Sequence, residues 1–310
     1  MTVVVVSHNS SEHFSALGDA LRAGSLQAQR LLVVDNASRD DSVERARSAG
    51  FDLYESRTND GFGAACNAAL EMADTEFVLI CNPDVRPSPT AIEGLVRSLE
   101  ETTTAAVAGP VFNRRFRARR FSRITGELYL FLPRRLQGAV RRFDCEIPVA
   151  QSEESVVVDF VVGAFMLCRV AALRSVGGFD ESFFLYSEEE DLCRRLGERG
   201  WQTIFVPSAA VDHRRSTSSD GVEPGAMTPF RFHSLYWYYR KYHSRLYAEL
   251  ARCALAVCVT IDRSYRALTG RQQVYGRATA RALFLSIDRL RSDYDRDHAR
   301  ASGGDAPVRG

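Results

Sequence analysis

The chain has 310 residues, enough for one large domain or a domain with an appendage, and its 45% hydrophobic and 25% charged content is that of an ordinary globular protein rather than a disordered or fibrous one. A formal net charge of +1 names no partner by electrostatics and speaks against a nucleic-acid-binding role. The seven cysteines are odd in number and scattered without a C-x-x-C pair, which argues against a disulfide framework or a zinc site and for reduced thiols in a cytosolic protein.

The first element predicted is a buried parallel strand at Val3–Val6, β-branched throughout and bounded by Ser7-His8-Asn9. A helix follows over Ser10–Ala23, with Phe14, Leu17 and Leu21 on one face, then a second buried strand at Arg30–Val34 that ends at Asp35. Asp40–Ala49 reads as a helix, Asp52–Glu55 as a short strand and Gly63–Ala73 as a helix of small residues. A strand over Glu76–Cys81 stops at Asn82-Pro83-Asp84, and Pro89–Glu101 and Ala105–Ala108 add a further helix and strand. Strands alternating with helices predict an α/β fold with a mostly parallel, doubly wound sheet. Ligands of such sheets sit beyond the C-terminal strand ends, where Ser7-His8-Asn9, Asp35-Asn36 and Asn82-Pro83-Asp84 all fall. Three polar clusters at three strand ends converge on one crevice suited to a nucleotide-type ligand.

Residues 113–142 form an arginine- and aromatic-rich insertion, expected as loop and helix, after which Val156–Val162 returns to strand and Gly163–Arg169 continues the core. Gly177-Gly178-Phe179-Asp180 reads as a turn, Glu189–Arg199 as a helix capped by Gly200, and Thr203–Val206 as a strand closed by Pro207. A polar loop at Ser216–Pro229 leads into a long, mostly helical stretch from Phe230 to about Leu268, and the tail from Ala301 is expected to fray. The apolar run Cys253–Ile261 is well short of the ~20 residues that span a bilayer, and no basic leader precedes the first strand. The expectation is a cytoplasmic protein, soluble or peripheral at the inner face of the cell membrane.

The ordered set Asp35-Asn36-Ala37-Ser38, Asn59-Asp60-Gly61-Phe62-Gly63, Asn82-Pro83-Asp84-Val85 and Gly178-Phe179-Asp180 through Glu188-Glu189-Glu190-Asp191 resembles the large family 2 of inverting glycosyltransferases of the A-type fold. The resemblance is closest to the bacterial rhamnosyltransferase-like branch and covers residues 1–215, each motif weak alone and the ordered set specific. It implies a GT-A catalytic domain over 1–215 with a basic insertion at about 113–150, a helical extension over 216–300 and a flexible tail. It also implies a nucleotide-sugar donor (dTDP-rhamnose first, a UDP-sugar second) and a glycan or polyprenyl-linked acceptor in cell-envelope polysaccharide synthesis.

By that resemblance Asp84 is the metal-binding acid of the family's D-x-D motif, with Asn82 in place of the first acid, and His213 is the late histidine ligand. Taken alone, Asn82-Pro83-Asp84 is equally a turn, or a carboxylate holding a divalent cation and a diphosphate. Mn²⁺ or Mg²⁺ is the implied cofactor, and the imidazole hints at Mn²⁺. Glu189 sits at the family's base position, with Glu188 as the alternative if the longer glutamate shifts the register. Glu190 reads as part of a favourable first helical turn, and Asp191 as a residue orienting the helix or the acceptor. Ser7, Asn9, Asp35 and Asn36 are the expected nucleobase and ribose contacts, although capping of the following helices would suit Asn9 and Asp35 as well. Asn59, Gly61, Gly63 and Asn67 are expected to let the backbone approach the donor. Two other functions fit such a sheet. A sugar-nucleotide nucleotidyltransferase wants a basic, glycine-rich loop after the first strand, which Ser7-His8-Asn9-Ser10 lacks. A non-catalytic nucleotide-sugar-binding module would have no need of Asp84 and Glu189.

The arginines from Arg114 to Arg123 suit a diphosphate, an acidic lipid or simply a solvated face. Phe230–Tyr247 mixes Trp237 and tyrosines with Arg240, Lys241 and Arg245, a composition of membrane interfaces and equally of a helix packed under the catalytic domain.

Overall fold

The computed structural model describes residues 1–150, 154–213, 228–271 and 283–292. The first half of the chain alternates as its periodicity dictates: β1 (Thr2–Ser7), α1 (Phe14–Arg22), β2 (Arg30–Asp35), α2 (Ser42–Ser48), β3 (Asp52–Glu55), α3 (Phe62–Met72) and β4 (Phe77–Cys81). A short β5 (Val85–Pro87), not expected from sequence, comes next, then α4 (Ala91–Glu101) and β6 (Ala105–Phe112). The insertion holds β7 (Arg117–Arg119), α5 (Ile124–Leu130), α6 (Arg134–Gln137) and β8 (Glu146–Pro148). The remaining elements are β9 (Val156–Val158), β10 (Phe165–Arg169), α7 (Val170–Ser175), α8 (Glu188–Glu198), β11 (Gln202–His213), α9 (Thr228–Tyr242) and α10 (Arg245–Leu268). The polar loop expected before Thr228 and the tail from Ala301 lie outside the described residues. No described helix is long and apolar enough to cross a membrane.

The main sheet runs β3-β2-β1-β4-β10-β6-β11-β5, with β9 paired to β11. β1 lies between β2 and β4, parallel to both, with Ser7 opposite Asp35 and Val5 opposite Cys81. Val3 to Val6 are buried on both faces of this strand, which is why the run shows no polar alternation. Val3 and Val5 join Phe14, Leu17, Leu21 and Leu95 in the core beneath α1 and α4, while α3 packs on β1 and β2. β10 is the antiparallel exception in the centre, between β4 and β6.

Two expected boundaries move. β6 does not stop at Ala108 but continues through Gly109 and Pro110 to Phe112. β11 does not close at Pro207: its pairing with β6 shifts between Val206 and Ala210, and this bulge takes up the proline where no ladder hydrogen bond is required. The strand then runs on to His213, antiparallel to β5, with His213 opposite Val85.

The chain forms two compact units. The first comprises Met1–Phe121, Glu146–Phe184 and the chain from Glu188 through β11, so the catalytic domain expected over 1–215 is interrupted within the insertion. Here β7 pairs with β8, and Arg117 and Arg119 are spent on Glu146 at 3.4 and 2.9 Å. The second unit gathers Ser122–Cys145, Leu185–Ser187 and the C-terminal helices. Within it the buried Glu127 of α5 accepts two bonds from Arg231 of α9 at 2.6 and 2.8 Å, and the Tyr247 hydroxyl of α10 accepts from the Ile124 N–H at 3.0 Å. Phe230, Phe232, Tyr238 and Tyr239 are buried, so most of the aromatic content of α9 is packing.

Candidate active site

β2, β1 and β4 end side by side, and the chain leaves β1 with a neighbour on each side, the switch point at which α/β sheets open a crevice. At the end of β2 the Asp35 carboxylate accepts from the Ser38 N–H at 2.9 Å and the Ser38 hydroxyl at 2.5 Å. Asn36 spans the crevice edge: its carbonyl meets His8 Nδ1 at 2.8 Å, and its Nδ2 donates to the Gly61 carbonyl at 3.1 Å. Asn9 has a left-handed backbone (φ 51°), and its Oδ1 accepts from the Arg39 N–H at 2.8 Å. At the end of β1 the buried Ser7 hydroxyl oxygen has no hydrogen-bond partner. Asp35 and Asn9 therefore shape turns at the rim and cap neither α1 nor α2, and Ser7 keeps an unused hydroxyl there.

Asn59, Gly61, Gly63 and Asn67, expected at the donor, make these contacts within the chain. Asn59 Oδ1 accepts from the Gly61 N–H at 3.2 Å and sets the turn into α3. Gly61 has φ +101°, and a Cβ there would lie 2.2 Å from the Phe184 carbonyl oxygen, which accepts from the Phe62 N–H at 2.9 Å. The close approach that this glycine permits is to the chain itself. A Cβ on Gly63 would sit 3.2 Å from Phe179 Cβ. The Asn67 amide is committed to the Gly178-Phe179 turn, accepting from the Phe179 N–H at 2.8 Å and donating to the Phe179 carbonyl at 2.9 Å and to Glu181 at 2.8 Å. Together they lock α3 against the segment that precedes α8. Gly61→Ala combines a clash with a disfavoured backbone and is expected to lower unfolding free energy by about 2–4 kcal/mol; an unchanged denaturant midpoint would refute this packing role.

Asp84 closes the turn after β4, directly before β5, and is buried, and His213 ends β11. Register brings them together: His213 Nε2 lies 3.2 Å from Asp84 Oδ2. Asn113, whose importance no sequence motif signalled, clamps the histidine backbone from both sides. It accepts from the His213 N–H and donates to the His213 carbonyl, each at 2.9 Å, while the Phe112 ring lies 5.7 Å from the imidazole. One carboxylate and one imidazole fit a divalent cation whose other ligands are diphosphate oxygens and water. No group of three or more histidine, cysteine, aspartate or glutamate side chains suited to a metal occurs among the described residues.

Glu188 and Glu189 open α8, just after Tyr186 and Ser187, two non-glycine residues with left-handed backbone (φ 70° and 65°). Glu189 is tied to the same strand ends through the backbone. Its carboxyl takes a hydrogen bond from Gly163, and the next carbonyl, of Ala164, accepts from the Asn82 N–H at 2.9 Å. Burial pushes the Glu188 carboxyl well above the ordinary carboxylate range, and the neighbouring charge of Glu189 adds to this. Burial raises Glu189 too, but its backbone bonds, that from Gly163 among them, and then Arg119 pull the other way. Oε2 of each glutamate is sheltered and has no hydrogen-bond partner. Glu188 is 4% exposed, and Glu189 is the less deeply buried residue of the two. Asp191 is fully buried and accepts from Arg195 Nε at 2.7 Å, one turn along α8, while Arg195 also donates to the Val176 carbonyl at 2.9 Å. These bonds tie it to the body of the helix, in keeping with the orienting role considered for it.

The profile of glycosyl transferase family 2 matches residues 2–177. The chain is 29% identical over 267 residues to an N-acetylglucosaminyl-diphospho-decaprenol L-rhamnosyltransferase of Mycobacterium tuberculosis, covering 79% of this chain and 85% of the relative. It is 26% identical over 227 residues to the rhamnosyltransferase WbbL of Escherichia coli, covering 68% and 82%. A mannosyltransferase from Pyrobaculum calidifontis solved with GDP-Man and Mn²⁺ has the same fold, with a TM-score of 0.59 at 18% identity over 97% of this chain and 82% of that one. Glucosyl-3-phosphoglycerate synthase of Mycobacterium tuberculosis, solved with Mn²⁺ and UDP, gives a TM-score of 0.51 at 16% identity over 77% and 78%.

Proposed function

Because the chain belongs to glycosyl transferase family 2, we propose that it transfers a hexose, rhamnose from a dTDP-linked donor before any UDP-linked one, to a hydroxyl of a glycan or polyprenyl-linked acceptor in cell-envelope polysaccharide assembly. The relatives that cover most of the chain carry rhamnosyltransferase names, which orders the donors. The observation that carries the chemistry is the Asp84–His213 pair at 3.2 Å on the rim to which Asn82, Ala164 and Gly163 also tie Glu189.

In this reading the donor's nucleoside lies over the ends of β1 and β2, where Ser7, Asn9, Asp35 and Asn36 form the floor, and its diphosphate lies toward Asn82 and Asp84. Asp84 and His213 would hold a divalent cation, which when bound supplies positive charge against the diphosphate leaving group. Glu189 accepts the proton of the acceptor hydroxyl as that oxygen bonds to the anomeric carbon. The bond from this carbon to the diphosphate oxygen breaks, and the nucleoside diphosphate leaves with the electron pair. Inversion in a single displacement is carried over from the family. Glu188 stays protonated behind Glu189 and leaves the negative charge on the outer carboxylate.

Thermal unfolding with nucleoside diphosphates tests the donor side. With Mn²⁺ present, dTDP at 100 times its dissociation constant is expected to stabilise the fold by about 2.7 kcal/mol. UDP should do less, and removal of the ion should erase most of the shift. If no nucleoside diphosphate moves the midpoint, with or without metal, the reading fails.

A further inference from the structure

A surface helix normally turns charged residues outward and apolar ones inward. α10 does not. Its inward face is Ala248, Ala251, Leu255 and Val259, all buried. Its outward face is apolar as well: Leu246, Leu250, Val257, Ile261, Tyr265 and Leu268 are each at least 50% exposed. The exposed positions between them, such as Cys253, Thr260 and Ser264, are small and uncharged. No charged residue between Leu246 and Leu268 is fully exposed, since Glu249, Arg252, Asp262, Arg263 and Arg266 lie half-buried on the flanks. The stripe is about 33 Å long. A continuous face of that length is more than scattered surface hydrophobics and marks an interaction surface.

Charge selects the partner. The helix and the three residues after it, 245–271, contain five arginines against two acids, a net charge of +3 in a chain whose total is +1. Both acids are paired within the helix, Glu249 with Arg252 and Asp262 with Arg266. A second copy docking stripe to stripe would set +3 against +3, whereas an anionic lipid surface offers the opposite sign to the same flanks. α10, with 24 residues, is long enough to cross a bilayer but not apolar enough, so it can lie on one but not span it. We infer that α10 is a membrane-docking helix that lays the Leu246–Leu268 stripe into the headgroup region of an anionic bilayer, its flanking arginines meeting lipid phosphates. This places the membrane contact on α10 rather than on the aromatic stretch of α9, where composition suggested it. The inference is independent of which sugar is moved.

The test is co-sedimentation of the full chain with phosphatidylcholine vesicles, with and without phosphatidylglycerol. The wild type should bind the anionic vesicles, lose that binding in high salt and largely ignore the neutral ones. The Leu250→Glu/Ile261→Glu variant alters two side chains that are 62% and 63% exposed, so its melting midpoint should hold while vesicle binding falls by about tenfold or more. Arg245→Glu/Arg271→Glu should weaken binding by roughly fivefold or more at low salt. Equal binding to neutral and anionic vesicles, full binding by Leu250→Glu/Ile261→Glu, or a wild-type dimer that this variant turns into monomer would each overturn the proposal. Mn²⁺-dependent hydrolysis of a nucleotide sugar, followed on the same preparations, tells the two readings apart: its absence from the wild type counts against sugar transfer alone, and the vesicle result still decides the docking surface.

Discussion

Asp84→Ala is expected to lower turnover of a nucleotide sugar by about 10²–10³-fold or more, the scale on which loss of a transition-state charge stabiliser is felt. Asp84 stands directly before β5, and the pairing of β5 with β11 places it against the His213 imidazole. Its removal leaves His213 as the only member of the candidate cation pair, and an imidazole alone offers no charge to a hard divalent ion. Nucleoside diphosphate binding should suffer in step, so that the metal-dependent part of the thermal shift disappears. His213→Ala should be milder, because the carboxylate and the diphosphate oxygens remain. Asn113→Ala should follow His213→Ala in direction, since Asn113 fixes the histidine backbone through two 2.9 Å bonds. Kinetics at saturating metal separate the cases: a His213 variant rescued by more Mn²⁺ and an Asp84 variant that is not would match these assignments. An Asp84→Ala protein with wild-type turnover would remove the diphosphate site from this rim.

Much of the rim was legible because buried parallel strands carry their signature in short β-branched runs. Val3–Val6, Arg30–Val34 and Phe77–Cys81 are read at nearly their true limits, and the polar clusters that end them fall where a doubly wound sheet opens. What escaped depends on who meets whom across the sheet. A proline ordinarily ends a central strand, so β11 was expected to stop at Pro207; only the bulge at Val206–Ala210 shows how the strand carries on and delivers His213 to Asp84. Gly61 reads as a close-approach glycine, but local sequence cannot reveal that the Phe184 carbonyl is among its neighbours. Asn67 resembles a polar lining residue until Phe179 is seen to take both ends of its amide. In α10 two apolar stripes share one helix, and periodicity alone cannot tell the face that packs, Ala248 to Val259, from the one left outside. Asn113 sits in a loop whose composition says only that a turn is near.

Glu189→Gln should keep donor binding and lose transfer by about 10²–10⁴-fold, the usual contribution of a positioned base, while Glu188→Gln should retain most of it. The asymmetry follows from their surroundings. Glu188 is more deeply buried and lies beside the Glu189 charge, and both push it toward the protonated form, which a glutamine mimics. Glu189 is raised by burial but draws on a Gly163 hydrogen bond and on Arg119, which favour its ionised form. Transfer should therefore rise with pH through a midpoint above the ordinary glutamate value and then level off. Stability moves the opposite way. A carboxyl whose folded pKa is raised holds its proton in the folded chain after the unfolded chain has released it, so the folded state loses stability as pH climbs from the ordinary value toward the raised one. Glu188→Gln removes that loss, and the variant should be more stable than wild type by about 1–3 kcal/mol at neutral pH, with the gain vanishing below the ordinary glutamate range. Denaturant melts across pH measure the second effect and single-turnover transfer the first. If Glu188→Gln abolishes transfer while Glu189→Gln keeps it, the base lies one residue earlier, and the more deeply buried position takes the proton.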